Sequence, residues 1–273
     1  MRFNNLHNFL PLPLLRTAAA GLLLLAVGAA GPARADELKK VDLELLLAVD
    51  VSHSISDAEH RLQVRGIAQA FRNPRMAAVI GGLDQGRIAV AVMFWAGEAE
   101  QALVVPWQIL ETAEDAARFA DAVGVATTRP WEGVTFTAIG SALLQGATEI
   151  LGNGIDGTRR VIDVSGDDPS NQGTDTAQAR DHVVAKGIVI NGLPVLSGRR
   201  EQEDKERLVR HYETSVAGGD GGFVSPALGF EDFPRAMLAK LLTEITDAEP
   251  AVAPAGPRFS TAPTAPGSRQ REG

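Results

Sequence analysis

The chain has 273 residues, 45% of them hydrophobic and 22% charged, with no cysteine and a formal net charge of −8. This composition describes a globular protein with one substantial core, and it excludes disulfide scaffolds, thiolate zinc sites, iron–sulfur clusters and cysteine nucleophiles. Any bound metal must sit on oxygen or imidazole, and an acidic chain with no basic stripe interleaved with aromatics argues against a nucleic-acid partner.

The first segment has the make-up of an export signal. Arg2 and Arg16 come with no acidic residue before Asp36, the run from Thr17 to Gly31 is apolar, and Ala33-Arg34-Ala35 supplies small residues where a signal peptidase reads them. Residues 1–35 are therefore expected to be removed, leaving a periplasmic or secreted chain. The competing reading is a retained anchor, but the apolar run is too short and too rich in Ala and Gly for a strong membrane span. The leader carries three Arg and no acid, so its loss takes the net charge from −8 to −11. Residues 248–273 contain five prolines among Ala, Gly, Ser and Thr, and are expected to form a disordered tail.

Residues 36–247 alternate short apolar runs with amphipathic stretches, which predicts an α/β domain. The expected architecture is a doubly wound, mixed but mainly parallel six-stranded sheet with helices on both faces. Leu43–Val49 is nearly continuous in apolar residues, as a central strand buried on both faces requires. A helix follows, opened by Ser56 and Glu59 in capping-box spacing, with Leu62, Ile67, Ala70 and Phe71 on one face. Arg87–Ala96 and Gln101–Trp107 are strands joined by four residues, too few for a crossover helix, so they predict an antiparallel hairpin. Helices are expected over Glu114–Val123, Thr137–Leu151, Thr176–Ala185, Asp204–Ser215 and Phe233–Ile245. The remaining strands are Arg160–Ser165, Ile188–Leu196 and a short Gly222–Pro226. Gly218–Gly222 before it predicts a turn needing positive φ.

Ligands of such sheets bind beyond the carboxyl ends of the parallel strands. The first parallel strand ends in Asp50-Val51-Ser52-His53-Ser54, and alternate residues of an extended segment point the same way. Asp50, Ser52 and Ser54 can thus turn a carboxylate and two hydroxyls toward one point, a donor set suited to a hard divalent cation. Ordinary helix capping and an Asx turn explain the same letters equally well. Two later segments add to the set: Gly133-Val134-Thr135-Phe136-Thr137-Ala138-Ile139-Gly140 places threonines at a helix start, and Val161–Asp167 ends a strand in a carboxylate.

Taken together, these segments resemble the metal-ion-dependent adhesion site of von Willebrand factor A-like domains. Within that superfamily the chain is most similar to secreted bacterial proteins grouped as domain of unknown function 1194. The phrases that carry the likeness are Leu47–Ser52, Thr137–Gly140 and Arg159–Asp167, and it extends over roughly Val41–Ile245. The resemblance implies one Mg²⁺ or Mn²⁺ ion held by Asp50, Ser52, Ser54, Thr137 and Asp167. Thr137 fits the family's helix start better than Thr135. Ser165-Gly166-Asp167 inverts the last two residues of the family's Thr-Asp-Gly, so Asp168 is the substitute for Asp167. The resemblance also implies a binding role: an ion held largely by neutral hydroxyls keeps positive charge for an Asp or Glu of a protein partner.

The alternative is a Mg-dependent periplasmic hydrolase of phosphoester type built on Asp50, Asp163, Asp167 and Asp168. Other enzyme signals fail. Gly152–Gly157 spells a dinucleotide fingerprint but follows a helix and precedes a strand, the reverse of the context that binds phosphate. His53 should turn away from an ion between the two serines, and His60, His182 and His211 fall on charge-rich helices as solvated side chains. Asp163, flanked by apolar residues in a strand, must find a loop or an Arg partner, or serve the metal from behind. Trp131 either offers an exposed contact beside the site or folds back onto the core.

Overall fold

The computed structural model describes residues 38–198 and 201–246. The expected leader, residues 1–35, and the expected tail, residues 248–273, lie outside the described residues. Among the described residues one sheet has five strands: β1 (Lys39–Asp50), β2 (Ile88–Trp95), β3 (Gln101–Leu110), β4 (Ile155–Gly166) and β5 (Val189–Pro194), in the order β3-β2-β1-β4-β5. β1 runs parallel to β2 and β4, β5 runs parallel to β4, and β3 is antiparallel to β2. The fold class is the one expected, with one strand fewer. The segment expected as a sixth strand, Gly222–Pro226, touches the sheet at a bridge between Gly192 and Val224 without forming a ladder. Gly219 and Gly221 just before it take φ of 88° and 74°, so the chain turns where side-chain-bearing residues are disfavoured.

The helices are α1 (Asp57–Arg72), α2 (Pro74–Gly81), α3 (Ala113–Val125), α4 (Ile139–Gly152), α5 (Thr176–Val184), α6 (Gln202–His211) and α7 (Phe233–Thr246). α1 opens on the predicted capping box: Ser56 Oγ accepts from the Glu59 N–H, and the Glu59 carboxylate accepts from the Ser56 N–H at 2.8 Å. α2 is an addition to the expected elements, started by Asn73 and by Pro74 in its first turn. Thr137 is not in α4, which begins at Ile139. The expected helix Asp204–Ser215 is α6 followed by a π turn, Tyr212–Val216.

The strand period of two sorts β1 into two cores. Leu43, Leu45, Leu47 and Val49 pack with α1, α2, α3 and α7, whereas Leu46 and Ala48 pack with α4, α5 and Leu208 of α6. All eight residues of β2 are buried, as a strand covered on both faces should be. β3 is an edge strand, where Pro106 stands exposed without cost to a ladder. Because the chain goes from β1 to β2 on one side and later to β4 on the other, the strand order reverses between β1 and β4. The carboxyl ends of those two strands form the crevice in which open α/β sheets place their ligands.

Candidate metal centre

Asp50 is the last residue of β1 and is fully buried. Its Oδ1 accepts from the Ser52 N–H at 2.8 Å, which curls the chain so that Ser52 and Ser54 bring their hydroxyls within 3.2 Å of each other. Across the crevice, Ser54 Oγ donates to Asp167 Oδ1 at 2.7 Å. The first and third motifs, 113 residues apart, thus meet through a direct hydrogen bond. Asp167 is buried and Asp168 half-buried, so the inverted Ser-Gly-Asp order still delivers Asp167 to the crevice.

The second motif is brought alongside by backbone. The His53 N–H donates to the Val134 carbonyl at 3.0 Å, and the Ala138 N–H to the Ala96 carbonyl at 2.8 Å. The loop after β4 clamps the other side: Asn171 Oδ1 accepts from the Thr137 N–H at 2.9 Å, the Asn171 N–H donates to the Thr137 carbonyl at 2.8 Å, and Ser170 Oγ accepts from the Ile139 N–H at 3.2 Å. Ser170 therefore supplies the cap that Ala138 cannot. Thr137 is buried while Thr135 is exposed, which separates the two threonines as the motif comparison did. Ser170 and Asn171 carried no sequence signal beyond their place in a polar loop.

Several buried side-chain atoms near the crevice have no hydrogen-bond partner among the described residues, Trp95 Nε1 and Ser165 Oγ among them. Asp50 Oδ2 is buried with no hydrogen bond, and burial together with the charge of Asp167 pushes the Asp50 pKa up to about 7. The Tyr212 hydroxyl, also buried, has no partner either. Sequence reading passed over Tyr212, whose position in a charge-rich helical stretch carries no pattern.

Other expectations are corrected. His60 is 2% exposed rather than solvated, and stands edge-on to Phe94 with ring centroids 5.1 Å apart. Burial, and secondarily the Arg129 charge, lower its pKa to about 4. His182 is exposed and His211 half-buried, and His53 projects to solvent. Asp163 pairs with neither a loop nor an Arg: Lys240 Nζ lies 2.6 Å from its Oδ1 and 2.6 Å from Glu244 Oε1, all three being buried. This puts Asp163 on the α7 face of the sheet, opposite the face that carries Leu46 and Ala48 toward Asp50. The four carboxylates of the hydrolase alternative are accordingly not gathered, and among the described residues no group of three or more His, Asp or Glu is placed to hold a metal. Trp131 is half-buried and packs against the core, whereas Phe136, beside Thr137, is 48% exposed.

Two grooves of about 440 Å³ each meet at Gly133. One is lined by Glu98, Glu100, Val134 and Phe136, the other by His60, Arg61, Arg129 and Trp131. Arg129 is held there by donation to the Ile55 carbonyl at 2.5 Å.

Residues 40–249 match the family model described as protein of unknown function (DUF1194). The chain belongs to the DUF1194 family. No curated protein matches it. Among solved structures, this DUF1194 chain is similar to proximal thread matrix protein 1 from the mussel byssus, seen with a zinc-occupied MIDAS motif. The two share 14% identity and a TM-score of 0.53 over 77% of this chain and 48% of that one. The pilus adhesin SpaC from Lactobacillus rhamnosus GG shows 13% identity and a TM-score of 0.50 over 77% of this chain and 31% of that one. The DUF1194 chain spans half or less of these proteins, and what it shares with them is the von Willebrand factor A-like fold.

Proposed function

We propose that this chain is an exported protein-binding module in which one divalent cation, Mg²⁺ or Mn²⁺, engages an Asp or Glu of a protein partner. The residues proposed to hold the ion are Asp50, Ser52, Ser54, Thr137 and Asp167. The observation that carries the reading is the junction of Ser54 with Asp167 beside the unpartnered, buried Oδ2 of Asp50. A buried carboxylate oxygen left without a donor is unfavourable, and a cation is the partner that three hydroxyls and two carboxylates together suit. When bound, such an ion supplies a positive centre whose charge the neutral hydroxyls do not cancel.

The chain's own residues do the remainder. Ser170 and Asn171 hold the Thr137 segment, the Ser52 N–H orients Asp50, and the exposed Phe136 with the groove of Arg61, Arg129 and Trp131 offers contact area around the centre. That a mussel byssus protein of this fold carries a zinc-occupied MIDAS motif supports metal binding, and the adhesin likeness supports binding over catalysis. Among the described residues no helix is long and apolar enough to cross a membrane.

Immobilised chain should retain a periplasmic or extracellular protein in Mg²⁺, release it in EDTA, and fail to retain it as Asp50→Ala. Retention indifferent to EDTA would overturn the reading. Turnover of a phosphate ester that Asp50→Ala abolishes would replace it with the hydrolase.

A further inference from the structure

Tyr212 is the single tyrosine of the chain, fully buried, with a hydroxyl that has no hydrogen-bond partner among the described residues. Phenylalanine would fill the same space without stranding a polar group, so the oxygen itself calls for a physical reason.

Three features direct that oxygen to the crevice. A Cβ built on Gly166 would lie 2.9 Å from the Tyr212 hydroxyl and 2.9 Å from Asp50 Oδ2. The two unpartnered oxygens therefore border the same small gap, kept open because residue 166 has no side chain. A Cβ on Gly192 would meet Tyr212 Cδ1 at 2.6 Å, so the ring lies close against the backbone of β5 where a larger residue would displace it. Finally, α6 widens at Tyr212 into the π turn, closed by the Ala217 N–H donating to the Tyr212 carbonyl at 2.9 Å. Single π turns occur frequently at functional sites. Burial and the charges of Asp50 and Asp167 hold the phenol well above its usual pKa, so it remains a protonated donor.

We propose that Tyr212 is a positioning residue of the metal centre, its O–H donating to Asp50 Oδ2 directly or through one bound water and fixing the carboxylate's orientation. The inference rests on the metal reading above and adds a residue from outside its three motifs. It also accounts for the inverted third motif. Gly166, standing where the family pattern has Asp, is the residue whose missing side chain lets the phenol approach Asp50.

The test uses Mn²⁺ calorimetry and urea unfolding on the unmutated chain and Tyr212→Phe, with carbon-13-labelled tyrosine NMR of the unmutated chain titrated with Mg²⁺. Tyr212→Phe is expected to bind Mn²⁺ at least tenfold more weakly, the scale set by lost outer hydrogen bonds at metal sites. In EDTA it should unfold at the same or a higher urea concentration, and Mg²⁺ should shift the single tyrosine ring signal. Binding within twofold of the unmutated chain, or a tyrosine signal that Mg²⁺ leaves unmoved, would overturn the inference while sparing the metal reading. An unmutated chain that binds neither ion would overturn both. The NMR titration needs no variant, so it decides even if Tyr212→Phe folds poorly.

Discussion

At the scale of single residues, burial makes opposite demands on Asp50 and His60, because each resists its charged form. Asp50 is held up near pH 7 until something positive meets it, which is the electrostatic case for a cation. His60 is held neutral: its pKa of about 4 lies below the ordinary value of 6.5, so the unfolded chain takes up the proton first. Stability from this group is complete well above pH 6.5 and is lost as pH falls toward 4, to a limit of about 3 kcal/mol. Urea midpoints of the unmutated chain should drop between pH 6.5 and 5, and those of His60→Leu should drop less. Parallel profiles for the two would refute the assignment. Asp50, Ser52 and Ser54 could be proposed as ligands from their types and alternation, and Thr137 and Asp167 from the resemblance of their segments to a known pattern. His60 was misread because α1 buries His60, Gln63, Val64, Ile67 and Phe71 in helical spacing, with two polar residues on the inner face. Only packing distinguishes that face from a solvated one.

At the scale of elements, strands and helices were readable from apolar period and caps, and the errors fall where tertiary contact overrides both. α7 buries Phe233, Ala236, Met237, Lys240, Leu241, Glu244 and Ile245, an amphipathic face in which two positions are charged. A lysine in a helix is ordinarily solvated, so the sequence did not show that Lys240 is the partner of Asp163. The pair fastens α7 to β4. Asn191 of β5 joins them by donating to Glu244 Oε1 at 2.6 Å, and Arg159 donates to the Glu244 carbonyl at 2.6 Å. Lys240→Met removes the ammonium that bridges two buried carboxylates and is expected to destabilise by about 3 to 5 kcal/mol in urea at pH 7. Burial and the Glu244 charge raise the Asp163 pKa in the unmutated chain against the lowering effect of Lys240, so without Lys240 it rises further and the folded variant takes up a proton more readily than the unmutated fold. Its deficit should therefore shrink as pH falls from 7 to 5. A deficit below about 1 kcal/mol, or one that grows on acidification, would show that Lys240 does not neutralise this pair. The sixth strand is reduced for a related reason: after the turn at Gly218–Gly222 the chain meets β5 and its end at isolated bridges, Gly192 with Val224 and Val195 with Ala227, and not as a continuous ladder.

At the scale of the whole molecule, topology decides where chemistry can occur. Strand order reverses between β1 and β4, and the three motifs converge there although their residues span positions 50 to 167. A single extended segment suggests an ion site only weakly, and the proposed centre rests on a crevice that joins three segments and leaves Asp50 Oδ2 without a hydrogen bond among the described residues. The excess of acidic side chains, −8 over the whole chain, disfavours phosphate backbones and anionic lipid as partners. The most direct measurement of this account is a calorimetric titration of Mn²⁺ into the chain stripped with EDTA. The account predicts one ion bound per chain, and loss of that binding in both Asp50→Ala and the double variant Ser52→Ala/Ser54→Ala. Absence of binding to the unmutated chain, or undiminished binding in the double variant, would contradict it.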